Sequence, residues 1–155
     1  MKLGEALALR ADVARRVEQL RARVAGNARY QEGETPAEDA VELLAQAVEA
    51  CDELESLIRR INRTNASTPL GGGTITDALA HRDALRLRHG LLTAAADAAT
   101  GRNQHGVARQ LRSELLYVSA LPVARLRADA DRLARDIREV DVAIQQANWQ
   151  VDLLD

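Results

Sequence analysis

The sequence predicts an all-α protein: an antiparallel up-and-down bundle of four long helices with coiled-coil-like packing, and room for a short β-hairpin arm at about 66–76. Three observations carry this prediction. Of the 155 residues, 46% are hydrophobic, yet aromatics make up only 2% and Phe is absent. The core must therefore be built from Leu, Val, Ile and Ala, in a chain rich in the Ala, Leu, Arg and Glu that favour helix over sheet. Apolar residues recur at alternating spacings of three and four along four separate stretches, the signature of a helical stripe. Between the stretches stand the breakers Gly26-Asn27, Pro36, Pro69 with Gly71-Gly72-Gly73, and Pro122, where helices begin or stop. A chain of this length supports one core and falls short of two, so a single domain over 1–155 is expected.

The first helix, about 3–29, carries Leu3, Ala6, Val13, Val17, Leu20 and Val24 on one stripe, broken only by Arg10. The second, about 35–62, has a start signal in Thr35 as N-cap, Pro36 at the first helical position and Glu38 completing a capping box. Leu43, Ala47, Ala50, Leu54, Leu57 and Ile61 form its heptad seam, and Leu44, Val48, Cys51 and Ile58 widen the apolar face beyond a two-strand contact. The third helix, about 76–99 with Thr76 as N-cap, has two stripes: Ala78, Leu85, Leu92, Ala99, and Ala80, Ala84, Leu87, Leu91, Ala94, Ala98. A helix so patterned is covered on two sides. Thr100 to Arg112 reads as a polar linker, and Ser113 to Ser119 as a short, extended stretch. Pro122 opens the last helix, 122–150, in which Val123, Leu126, Ala130, Leu133, Ile137, Val140, Ile144, Ala147, Val151 and Leu154 continue the spacing without a miss.

Charge and cysteine usage narrow the function classes. A net charge of −2 gives no global attraction to nucleic acid or acidic lipid. The lone Cys51 cannot form an intramolecular disulfide, and Met1-Lys2-Leu3-Gly4-Glu5 lacks the apolar run of a secretory signal, so a cytoplasmic protein is expected. Every apolar run is interrupted by Arg, Asp or Glu, so no membrane partner is expected.

Met1-Lys2-Leu3, Ile61-Asn62-Arg63-Thr64-Asn65, Thr74-Ile75-Thr76-Asp77-Ala78-Leu79 with Arg82-Asp83, and Asn148-Trp149, spread over nearly the whole chain, resemble the small bacterial all-helical proteins labelled septicolysin. The resemblance implies a helical protein of uncharacterised activity. The label suggests a pore-forming toxin, a reading opposed by the missing secretion signal, membrane-length segment and alternating amphipathic hairpin. The chain departs from the family pattern at His81, where an arginine is expected, and in its three consecutive glycines.

Candidate chemistry is sparse. His81, His89 and His105 each lack a Glu three residues before them, so the Glu-x-x-His metal pairs of helical bundles are missing. Asp77 and His81, one turn apart, read as a surface pair. Gly71-Gly72-Gly73-Thr74 lacks the Gly-Lys-Ser/Thr ending of a phosphate loop. Cys51, on the apolar side of the second helix, reads as an inert core residue, and Ser113 and Ser119 lack His and acid partners. Neither cofactor nor metal is expected, and the balance leans against an enzyme.

An up-down-up-down order gathers the distinctive polar residues at one end: Arg10, Asn62, Arg63, Thr64, Asn65, Thr76, Asp77, Arg82, Asp83, Asn148 and Trp149. There, Asn and Thr of 62–65 are expected to cap the second helix, and Arg82 to pair with Asp77 or Asp83. Three functions follow. The leading one is a structural or interaction protein that self-associates as a homo-oligomer, because the double stripes exceed what a slender lone bundle buries; Leu87, Leu91 and Trp149 are its interface candidates. The second is a nucleic-acid-binding arm of the tRNA-binding kind, using arginines at 59, 60 and 63, at 82, 86 and 88, and from 125 to 138. It is disfavoured by interleaved acids and scarce aromatics. The third is an enzyme or small-ligand binder that uses the Asn62–Asp83 end.

Overall fold

A computed structural model describes residues 1–102 and 115–155. The linker expected at 100–112 falls largely outside these residues, as does His105; of the extended stretch expected at 113–119, residues 115–119 are described and form neither helix nor strand. The order is α1 (Leu3–Asn27), α2 (Ala40–Ser67), β1 (Pro69–Leu70), β2 (Gly73–Thr74), α3 (Ile75–Ala99) and α4 (Val123–Gln150). The all-α class with four long helices and a small hairpin is as the sequence predicts. The chain packs into two compact units, one of residues 1–75 with 145–155 and one of residues 76–144.

In the first unit α1 and α2 form a helix pair around Val13, Leu20, Leu43, Ala50 and Leu57, with Leu9, Val17, Val24, Ala47 and Leu54 packed against them. Both predicted seams thus supply the core. Helix α1 begins where the Glu5 carboxylate accepts the Lys2 backbone N–H at 2.7 Å. It ends at Asn27 rather than residue 29. The Asn27 side chain there donates to the Arg23 carbonyl (2.9 Å) and accepts the Glu38 N–H (3.1 Å).

Glu38 is consequently unavailable for the capping box expected at Thr35. It is drawn back toward α1 by the Arg23 guanidinium, and α2 starts five residues later than expected, at Ala40. Asp39 is the N-cap, its carboxylate accepting the N–H groups of Val41 (2.9 Å) and Glu42 (3.3 Å), which satisfies donors the first turn leaves open.

The far end of α2 also differs from expectation. Helix continues through 62–65 to Ser67, because Thr64 and Ser67 return their hydroxyl protons to the carbonyls of Arg60 (2.8 Å) and Arg63 (2.9 Å) and so remain compatible with helix. These residues therefore do not cap a closing turn at 62. The chain then reverses through Gly71 (φ +60°) and Gly72 (φ +86°), the two left-handed positions of a type I′ hairpin turn. Pro69 pairs with Thr74 and Leu70 with Gly73, and Ile75 N–H closes on the Thr68 carbonyl at 3.0 Å. The hairpin runs straight into α3, which places Thr76 inside the first turn and not at its cap.

In the second unit α3 and α4 run antiparallel, as two ion pairs show. Arg86, midway along α3, meets Asp141 at 3.1 Å, and Asp97, near the end of α3, meets Arg127 near the start of α4 at 3.1 Å. Leu85, Ala96, Ala130, Leu133 and Ile144 are buried, in keeping with the Ala78–Ala99 and Val123–Leu154 stripes facing inward. The α4 stripe fails only at its last member: α4 stops at Gln150, Leu154 is exposed and Leu153 is buried instead. Beyond Gln150 the chain is extended and pairs with the first residues, Leu3 N–H to Val151 O and Leu153 N–H to Met1 O, each 2.9 Å. Extended geometry turns alternate side chains inward, which exchanges Leu154 for Leu153.

Candidate functional site

The residues expected to share one end fall in the two units, and each group has a clear local role. In the first unit Thr64 is 0% exposed. Its hydroxyl gives its one proton to Arg60 O and accepts the Leu154 N–H at 3.0 Å. Arg60 donates to the Leu154 carbonyl (3.0 Å) and the Asp155 carboxylate (2.9 Å), and Arg63 donates to the Asp155 carbonyl (3.2 Å). Asn62 is exposed and Asn65 half-buried on the same helix, and Arg10 is exposed on α1. The last turn of α2 is thus a set of donors and acceptors that holds the 151–155 segment.

A second clamp lies beside it. Lys2 Nζ donates to the Gln150 carbonyl (3.0 Å) and pairs with Asp152 at 2.8 Å, and that hydrogen bond, with the ammonium charge, keeps the Asp152 carboxyl below its ordinary range. Asn148 is buried and Trp149 exposed. A Cβ placed on Gly4 would stand 3.1 Å from the Asn148 carbonyl oxygen and from the Trp149 ring, so only glycine lets the start of α1 approach the end of α4 this closely.

In the second unit Arg82 donates to Asp83 through Nε (3.1 Å) and a terminal nitrogen (3.0 Å), and lies 3.6 Å from Asp141. Thr76 and Asp77 are exposed in the first turn of α3. Sequence reading missed Asp141, which Arg82 and Arg86 share across helices. The sequence offered the pair of arginines one turn apart on α3, but with Asp129, Asp131, Asp136, Glu139 and Asp141 all on the last helix it did not say which acid they meet.

Among the described residues no group of three or more His, Cys, Asp and Glu is placed to hold a metal ion, and no helix is long and apolar enough to cross a membrane. Cys51, expected in the core, is exposed. It lies one residue past the buried Ala50, about 100° further round the helix, on a side that no other described element covers. Concave surface occurs in the first unit around Asn27, Tyr30, Pro36 and Val41, about 500 Å³. In the second, a groove of about 550 Å³ runs along Arg88, Arg125, Asp129, Arg132 and Asp136.

Two uncovered helix faces are apolar. On α2, Val41, Leu44, Val48, Cys51 and Ile58 are exposed at heptad-compatible spacing, Leu44 and Val48 each to 54%. On α3 the whole stripe Ala80, Ala84, Leu87, Leu91, Ala94, Ala98 is exposed, Leu87 to 78% and Leu91 to 68%. Helix α3 is therefore covered on one side and open on the other, not covered on both as the double stripe predicts.

The model of a family of unknown function, DUF6847, matches residues 10–153. A solved structure described as a functionally unknown conserved protein from Corynebacterium diphtheriae shares 40% sequence identity, with a TM-score of 0.89 and 99% of each chain covered. Neither description carries the septicolysin label. No curated protein matches the chain.

Proposed function

The chain belongs to the family of unknown function DUF6847, and for it we propose a protein-interaction role in which copies self-associate through apolar helix faces. The observation that carries the reading is the open stripe on α3, whose two central leucines are more than two-thirds exposed. Isolated exposed leucines are ordinary on soluble proteins, but a contiguous seam at heptad spacing is the surface that helices use to pair. The open side of α2 adds a second such surface. The lone, exposed thiol of Cys51 suits a reducing compartment, and we place the protein in the cytoplasm on that ground. Sedimentation analysis tests the reading: a reversible oligomer is expected, and a monomer throughout the micromolar range would refute it.

A nucleic-acid reading rests on the arginine-lined groove of the second unit. Asp129 and Asp136 line the same groove and Arg132 is already paired with Asp129 at 2.8 Å, which weakens the field a phosphate would meet. A tRNA titration at low salt without a mobility shift disposes of it. A small-ligand role for Thr64 is opposed by its geometry, since its single donor is committed to Arg60 O.

A further inference from the structure

The exposed α3 seam has an order that its exposure alone does not require. From Ala80 to Ala98 it reads Ala, Ala, Leu, Leu, Ala, Ala, at residues 80, 84, 87, 91, 94 and 98, a sequence symmetric about position 89. A twofold interface is self-complementary: if residue i meets residue j, then j meets i. Turned end for end about residue 89, the seam sets Ala80 opposite Ala98, Ala84 opposite Ala94 and Leu87 opposite Leu91, so large side chains meet at the centre and small ones toward both ends. We propose that the occupant of this face is a second copy of the chain, with the two α3 helices antiparallel across a twofold axis at the level of residue 89, between Leu87 and Leu91. The inference rests on the self-association reading and deepens it by naming the partner, the helix and the register.

Two further features agree. Gly90 sits in the middle of a 25-residue helix, where glycine weakens the structure relative to alanine, yet no atom beyond its own neighbourhood lies within 4 Å of a Cβ built there. Packing within the protomer therefore does not call for it. In the antiparallel register the two copies of Gly90 stand close to the level of the axis, about 80° round the helix from the seam, where a missing side chain leaves the margin of the central leucine contact clear. The acids bordering the seam, Asp83 and Asp97, come within two residues, about 3 Å, of one another's level across copies in this register. Each already carries an arginine of its own protomer, Arg82 at 3.0 Å and Arg127 at 3.1 Å, so no bare like-charge pair forms.

A parallel pairing would match any heptad seam to itself and needs no palindrome, and a different protein partner needs no symmetry at all. The seam is about 27 Å long and about 10 Å wide, a footprint of about 300 Å² per protomer. That is well below the roughly 800 Å² per partner of a standard stable interface. The pair is accordingly a reversible one with a dissociation constant in the micromolar range.

The test uses the full chain in a Cys51→Ser background, followed by sedimentation equilibrium from about 5 to about 500 μM. A monomer–dimer equilibrium is expected. The exposed double substitution Leu87→Glu with Leu91→Glu should abolish it while leaving helical circular dichroism unchanged, and Leu44→Glu with Val48→Glu on α2 should leave it intact. Register is read by oxidation. Ala84→Cys combined with Ala94→Cys should form interchain disulfides, whereas Ala84→Cys alone should not, because its own copy lies ten residues, about 15 Å, along the axis. Dimers that survive the α3 substitutions but not the α2 ones, or ready linkage of Ala84→Cys alone, overturn this inference and leave self-association standing. A monomer over the whole range overturns both.

Discussion

Replacing Thr64 with valine exchanges a hydroxyl for a methyl of nearly the same volume and so tests the latch on the 151–155 segment without opening a cavity. The Arg60 carbonyl that loses the hydroxyl proton still sits in the helix ladder, which makes that loss small. The Leu154 N–H, 3.0 Å from the hydroxyl oxygen, loses that acceptor. A hydrogen bond of this kind contributes about 0.5–1.5 kcal/mol, and a dry orphaned donor costs up to about 3 kcal/mol. Because Leu154 is 47% exposed, water reaches the freed donor and the cost should lie near the lower figure, about 1–1.5 kcal/mol. At about 1.4 kcal/mol per decade, native-state amide exchange at Leu154 should accelerate about tenfold. Thr64→Ser is the control: it forfeits the methyl, about 0.8 kcal/mol of burial, but keeps the hydroxyl and the Leu154 protection. If Thr64→Val left Leu154 protection within about twofold of wild type, the hydroxyl would not be what retains the segment.

The remaining predictions concern the second helix and the acid limb of stability. Asp39→Ala should cost about 0.5–2 kcal/mol in urea unfolding while Thr35→Ala stays near zero, and the reverse order would return the cap to Thr35. Cys51 should react with a maleimide in native buffer at nearly the rate of an unfolded control, as its exposure requires; protection in dilute protein would contradict it. Hydrogen bonds from Lys2 to Asp152 and from Arg23 to Glu38 hold both carboxyls below their unfolded values. Their stabilisation is therefore complete above the unfolded pKa of about 4 and disappears as pH falls through the folded values. Lys2→Met should accordingly flatten the decline of unfolding midpoint below about pH 4, and an unchanged acid limb would refute this account.

What was legible in the sequence was what depends on local spacing. The α2 seam from Leu43 to Ile61 specifies its own helix and buried face, and the hairpin glycines specify their turn. What was hidden depends on partners distant in the chain. Thr35 and Asp39 are both competent caps, and the choice between them is made by Arg23 and Asn27, which draw Glu38 toward α1. Leu153 is buried and Leu154 is not because residues 151–153 pair with residues 1–3, a contact no periodicity encodes. Cys51 belongs to a stripe that is apolar without being covered, and sequence pattern cannot distinguish a core face from one awaiting a partner. Of the candidate end residues, Thr64, Arg63, Arg82 and Asp83 are grouped by the up-down-up-down order of the helices, which does not say what each one meets. Their actual partners, Leu154, Asp155 and Asp141, lie up to 92 residues away.

The pairing of Met1–Leu3 with Val151–Leu153 has a consequence for synthesis. The α1–α2 hairpin can collapse as soon as residue 67 has left the ribosome, since its contacts are comparatively local. The unit to which it belongs closes only with residues 145–155, after every residue of the second unit has been made. Until then Leu3, Ala6 and Ile61 lack part of their cover, and the nascent chain carries an open apolar end for most of its elongation. Residues 145–155 thus complete a unit that residues 1–75 begin, and a ribosome stalled before them would hold a chain that aggregation or a chaperone reaches first.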